Sequence, residues 1–253
     1  MEHYVRYLHK DTIAYGILNE ETITTLHGND FSSFKMTNQQ LSISAVKLLA
    51  PCTPSKAVCV GLNYKDTILE PGTSWPQEPL LFIKPSTSVL HPRDSIIKWP
   101  MIQSLVFEAE LAIVISKRAH LVSQENAHEY IWGYTIANDV TAKDLQKKDG
   151  LWARSKSFDT FLPLGSWITR GIEPNNLEIA SYINGKQLQL GNTSNLIFGV
   201  EYLISFISQI MTLLPGDVIL TGTPGGYGGS VNVGDTVEIM IEHLGTLLNY
   251  VKD

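Results

Sequence analysis

The sequence predicts an α+β fold in which β-strands dominate. Short apolar runs recur between Gly, Pro and small polar residues, the pattern of strands joined by turns. Strands do not alternate with helices as in a parallel α/β fold, and only residues 196–214 hold helical spacing over a long stretch. Taken in order, YVRYL, AYGILN and TITTLHG read as short strands of a small β-rich segment over residues 1–50. Pro51 and Pro54 mark a joint, and residues 51–253 read as the larger unit. There AVCVGLNY and PLLFIKP are expected to be buried strands, and VFEAELAIVIS is the clearest strand of all. Ser123 is placed to N-cap a short helix, YTIAND returns to a strand, and Thr141–Asp144 has the spacing of a capping box. A helix over 194–213 is expected to stop at Pro215, and DVILTGTP, TVEIMIEH and TLLNYVK read as closing strands.

Composition narrows the function. Nineteen basic against 25 acidic residues leave a net charge of −6, which lacks the Lys/Arg footprint of a nucleic-acid or anionic-membrane partner. Charged residues are only 17% of the chain, so much surface is expected in a core or a subunit contact. The 43% hydrophobic content excludes disorder. MEHYVRYLHKD lacks the apolar run of a signal peptide, and a cytoplasmic protein is expected. Glu201, Ser205, Ser208 and Gln209 interrupt the apolar stretch 196–214, which is therefore an amphipathic helix and not a membrane span. Cys52 and Cys59 alone give neither a disulfide framework nor a Cys-rich metal site.

Several residues could carry chemistry. Glu108 and Glu110 lie two apart on one strand, so their side chains share a face at about 6.5–7 Å spacing. They form either a wet face or, where the strand leaves the interior, an oxygen-rich site for Mg²⁺, Mn²⁺ or Ca²⁺. Asp139 closes an Asx turn or adds a third oxygen ligand. Lys143 and Gln146, three apart, share one helix side and are either solvated or functional. Lys156 pairs with Asp159 at the surface or, beside carboxylates, holds an anionic intermediate. Thr221–Gly228 is a flexible hairpin loop, or else one whose backbone N–H groups, that of Gly222 among them, and Thr hydroxyls grip a substrate carboxylate. Its glycine spacing is not that of a phosphate or dinucleotide loop, and the chain shows no HExxH pattern or nucleophile elbow.

The motifs gain meaning in series. GLNY…E (61–70), FIKP (82–85), FEAELAIVI (107–115), GYTIANDVTAKDLQ (133–146) and SKSFDTFLPLG (155–165) occur in that order. NGKQLQLGNTSNLIF (184–198), MTLLPGDVILTGTPGG (211–226) and GDTVEIMIEHLGTLLN (234–249) follow them. The chain from about residue 55 to its end thus resembles the fumarylacetoacetate hydrolase family, in particular its small bacterial acylpyruvate hydrolase and 2-hydroxyhepta-2,4-diene-1,7-dioate isomerase members. The resemblance implies a mixed β-roll behind a small N-terminal β-rich segment, and a homodimer. It implies that Glu108, Glu110 and Asp139 hold Mg²⁺ or Mn²⁺, that Lys156 contacts the substrate and faces it instead of the ion, and that Gln146 and Thr223 bind a 2-oxo acid end. Two positions depart from the family pattern. Thr67 stands where many hydrolytic members carry a His that activates water together with a Glu, here Glu70. Lys143 stands where an Arg is frequent, without that side chain's bidentate grip on a carboxylate. The implied activity is acylpyruvate-type hydrolysis or 2-oxo acid decarboxylation, with dienoate isomerisation second and an impaired metabolite-binding protein third.

Overall fold

The structure, a computed structural model, describes residues 1–28, 31, 33–67, 74–225 and 229–253. Among them the largest sheet has eleven strands. At its centre lies Ala109–Ile115, every residue of it buried and all but Glu110 apolar, as a strand covered on both faces must be. It pairs antiparallel with Ile131–Asn138 on one side and Val218–Leu220 on the other. Val218–Leu220 runs parallel to Lys56–Gly61, and Lys56–Gly61 pairs with the edge strand Leu80–Pro85. In the other direction Ile131–Asn138 leads through Ile168–Arg170 to Glu2–His9. The antiparallel strands Thr12–Asn19, Thr22–His27 and Lys35–Ser42 complete that edge, so the first residues of the chain prolong the main sheet.

A second sheet contains Lys186–Asn192, Glu178–Ile183, Thr236–Ile241, Gly245–Lys252 and Ser95–Ile97. Period-2 alternation divides the central strand between two cores. Leu111, Ile113 and Ile115 pack with Ile179, Ile239 and Leu247 of the second sheet and with Leu203, Ile204 and Ile207 of the one long helix. Ala112 and Val114 join Cys59, Leu162 and Leu220 on the opposite face. Gly133 lets two strands approach: a Cβ there would lie 2.6 Å from the Thr169 carbonyl oxygen and 2.7 Å from Ile168. Gly133→Ala is accordingly expected to destabilise the fold by about 1–3 kcal/mol through overpacking. Urea unfolding measures this, and an unshifted midpoint would refute the close contact.

Several local expectations are corrected. The helix spans Val200–Ile210 only. Before it, the Asn63 side chain and backbone hold residues 197 and 198 in place. After it, Leu213 bridges to Ala119, which draws the chain out of the helix ahead of Pro215. Ser123 does not cap: its carbonyl accepts the Asn126 N–H, and only Ala127–Tyr130 forms a 3₁₀ turn. Thr141 belongs to a two-residue strand, and Asp144 turns away to accept the N–H groups of Gln103 and Ser104. PLLFIKP is no buried strand but a sheet edge, with Leu80 and Ile83 exposed. The strand Lys35–Ser42 and the hairpin over residues 178–192 were not expected at all. Among the described residues no helix is long and apolar enough to cross a membrane.

Candidate metal centre and active site

Four strand ends converge on one buried cluster. Pairing of Ala109 with Asn138 sets the start of the central strand beside the end of its neighbour, and the Asp139 N–H donates to the Glu108 carbonyl at 3.0 Å. Glu108, just outside the strand, is further fixed by its N–H to Asn138 Oδ1. Glu108, Glu110 and Asp139 thereby bring carboxylate oxygens within 4.8 Å of one another. Gly222, just past the Val218–Leu220 strand, donates its N–H to Glu110 Oε2 at 2.6 Å. Its φ of +101° favours glycine, and a Cβ there would press on Asn63 at 3.0 Å. The loop's backbone donor thus holds a carboxylate of the protein itself.

The counter-charges are two lysines. Lys156, at the end of the short helix Ala153–Lys156, donates to Glu108 Oε2 at 2.7 Å and also to Asp139 Oδ2. Asp159, the surface partner considered from the sequence, is exposed and is not Lys156's ion-pair partner. The ammonium meets the carboxylates directly, where it offsets their charge. Lys84 of the edge strand is wholly buried and donates to Asp139 Oδ1 at 2.6 Å. Sequence reasoning gave Lys84 no role. The available signal was a lysine inside FIKP on the same strand face as Phe82, whose ring lies 5.0 Å from Lys156 Nζ.

Burial sets the protonation. It pushes the Glu110 carboxyl well above its ordinary value, and the charges of Asp139 and Glu108 add to the shift. Burial also raises Glu108, against the pull of Lys156. Burial works in the same sense on Asp139, but Lys156 and Lys84 together outweigh it and hold that carboxyl below its ordinary value. Three crowded hard oxygen donors, one of them short of positive partners, fit a divalent cation of the Mg²⁺ or Mn²⁺ kind.

Around this cluster, Lys143 Nζ donates to Gln146 Oε1 at 2.8 Å across one turn of the Lys143–Asp149 helix. Burial lowers the Lys143 ammonium, against the opposing charge of Glu108. Thr223 Oγ1 accepts from Gln189 Nε2 at 3.0 Å. The Thr67 N–H closes a turn on the Tyr64 carbonyl, whereas Glu70 lies outside the described residues.

The β-rich scaffold thus concentrates three carboxylates and two buried lysines at converging strand ends, an acidic cluster that could hold a metal ion. Residues 56–252 match the family model described as fumarylacetoacetate (FAA) hydrolase C-terminal, and residues 2–51 match one described as Rv2993c-like, N-terminal. An uncharacterized protein of Archaeoglobus fulgidus is 51% identical over 83% of this chain and 84% of its own. The mitochondrial oxaloacetate tautomerase of Rattus norvegicus is 41% identical over 82% of this chain and 70% of its own. The crystal structure of 2-hydroxyhepta-2,4-diene-1,7-dioate isomerase from Mycobacterium marinum superposes with a TM-score of 0.92 at 39% identity, covering 100% of this chain and 98% of that one. The chain belongs to the fumarylacetoacetate hydrolase family and is an enzyme.

Proposed function

We propose that the enzyme moves a proton on a small 2-oxo diacid, interconverting its enol and keto forms, and adds water poorly. The observation that carries this reading is a cluster of three carboxylates and two ammonium groups that includes no imidazole among the described residues. An ammonium does not act as the base that activates water at neutral pH, and a carboxyl does so only where burial raises it, as at Glu110, whereas an imidazole has its pKa near 6.5 without such help. The names of the rat and mycobacterial relatives, a tautomerase and an isomerase, support the same reaction class.

Glu108, Glu110 and Asp139 would hold the divalent cation, which when bound supplies Lewis-acid polarisation of the 2-oxo acid head. The chain's own residues do the rest. Lys156 presents its ammonium where negative charge develops on oxygen, and Lys143 with Gln146 and Thr223 orients the acid's polar end. Such positioned proton transfer contributes about 10²–10⁴-fold. Decay of enol-oxaloacetate, followed with Mg²⁺ or Mn²⁺ and then with EDTA, tests the reading. Fast metal-dependent decay beside slow acylpyruvate hydrolysis is the expected result, and faster hydrolysis would overturn it.

Thr67 gives a second handle. A threonine hydroxyl holds a water but does not take its proton near neutral pH, so Thr67→His is expected to raise the kcat/KM of acylpyruvate hydrolysis and leave tautomerisation within a few-fold. Equal hydrolysis by both proteins would show that position 67 has no bearing on the choice of reaction.

A further inference from the structure

The two buried lysines treat Asp139 differently. Lys84 stands on a sheet strand and donates to Asp139 Oδ1 at 2.6 Å and to the Val140 carbonyl at 3.0 Å. One of its partners is therefore backbone, and the Phe161 ring lies 5.9 Å from its Nζ. Lys156 ends a helix of four residues, and both of its ion-pair partners, Glu108 Oε2 and Asp139 Oδ2, belong to the carboxylate cluster itself. A dication drawn to those oxygens meets a like charge already seated there, and in a buried site that repulsion is strong. Lys84 does not stand in its way, because its oxygen is the other one of Asp139.

We propose, on the basis of the metal-centre reading, that Lys84 is a fixed positioning residue that reserves Asp139 Oδ1, while Lys156 is an exchangeable counter-ion that a divalent cation displaces. Before the cation arrives, Lys156 keeps Glu108 and Asp139 from repelling each other apart. Afterwards its ammonium is released toward the substrate, so cation binding precedes productive substrate binding. Lys84 stays in place throughout and stops Asp139 from rotating.

The full chain, titrated calorimetrically with Mn²⁺, separates the two roles. Simple charge repulsion predicts that removing either ammonium tightens Mn²⁺ binding. The proposal predicts opposite signs. Lys156→Met binds Mn²⁺ at least fivefold more tightly, and Lys84→Met binds it about 10–100-fold more weakly, the usual loss when a residue that orients a metal ligand is removed. A shift of the same sign in both variants overturns the proposal. Wild-type protein without saturable Mn²⁺ binding, or a Glu110→Gln variant that binds as tightly as wild type, overturns the metal centre itself and the proposal with it. Should Lys84→Met fail to fold, nitrogen-15 labelled lysine in the wild type gives the answer. On saturation with Mg²⁺ the Nζ signal missing from Lys156→Met is expected to lose its protection from exchange, and an unchanged signal overturns the displacement.

Discussion

An Asp139→Asn chain is expected to lose Mn²⁺ binding and a large part of its stability together. Asp139 is fully buried and accepts from Lys84 on one oxygen and Lys156 on the other. The amide keeps the shape but removes the charge that both ammonium groups face, and it turns an NH₂ toward one of them. Breaking a buried pair on one side costs about 3–5 kcal/mol, because the charge left behind is uncompensated. For a chain of this size that is a fall in melting temperature on the order of 10 °C. The pH dependence gives an independent sign. A carboxyl held below its ordinary value in the folded state contributes stability that is present above about pH 4 and lost as pH falls further. Asp139→Asn is therefore expected to flatten that part of the acid unfolding curve. Melting within 2 °C of wild type together with unchanged Mn²⁺ affinity would show that Asp139 is neither a ligand nor the lysines' anchor.

Lys156→Met is expected to lower kcat on the 2-oxo acid by on the order of 10²–10³, the effect of removing one positioned donor from a developing oxyanion. Methionine keeps most of the unbranched apolar stem and removes only the ammonium, with its contact over the Phe82 ring, so the loss reports the ammonium and not the stem's packing. The measurement is made at saturating Mn²⁺, where altered metal affinity no longer matters. A kcat within threefold of wild type would remove Lys156 from the reacting atoms.

Much of this was legible from residue order. Leu111–Ile115 is apolar on both faces, so a central strand follows, and Glu-x-Glu at its emerging end puts two carboxylates on one side. Lys143 and Gln146 meet because a helix brings positions three apart together. What stayed hidden depended on partners distant in the chain. Lys84 finds Asp139 55 residues away, and a lysine in an apolar edge strand has no local signature for that. Asp217 is likewise silent in sequence, yet it is fully buried and accepts from Ser55, Lys56 and Leu214. Thr141–Asp144 satisfies the letter pattern of a cap, but pairing of Leu105 with Ala142 takes that stretch into a strand first.

The donor that seats Glu110 lies 112 residues downstream of it, on Gly222. A ribosome adding about 5–20 residues per second needs roughly 6–22 s to cover that interval. From Asp139 onward the nascent chain carries all three carboxylates without the strand that brings them to order, and the parallel pairing of Lys56–Gly61 waits on the same segment. The acidic centre is therefore among the last parts to assemble. A chain cut short before Val218 holds every carboxylate and still lacks the cradle, so cation capture requires synthesis to pass Gly222.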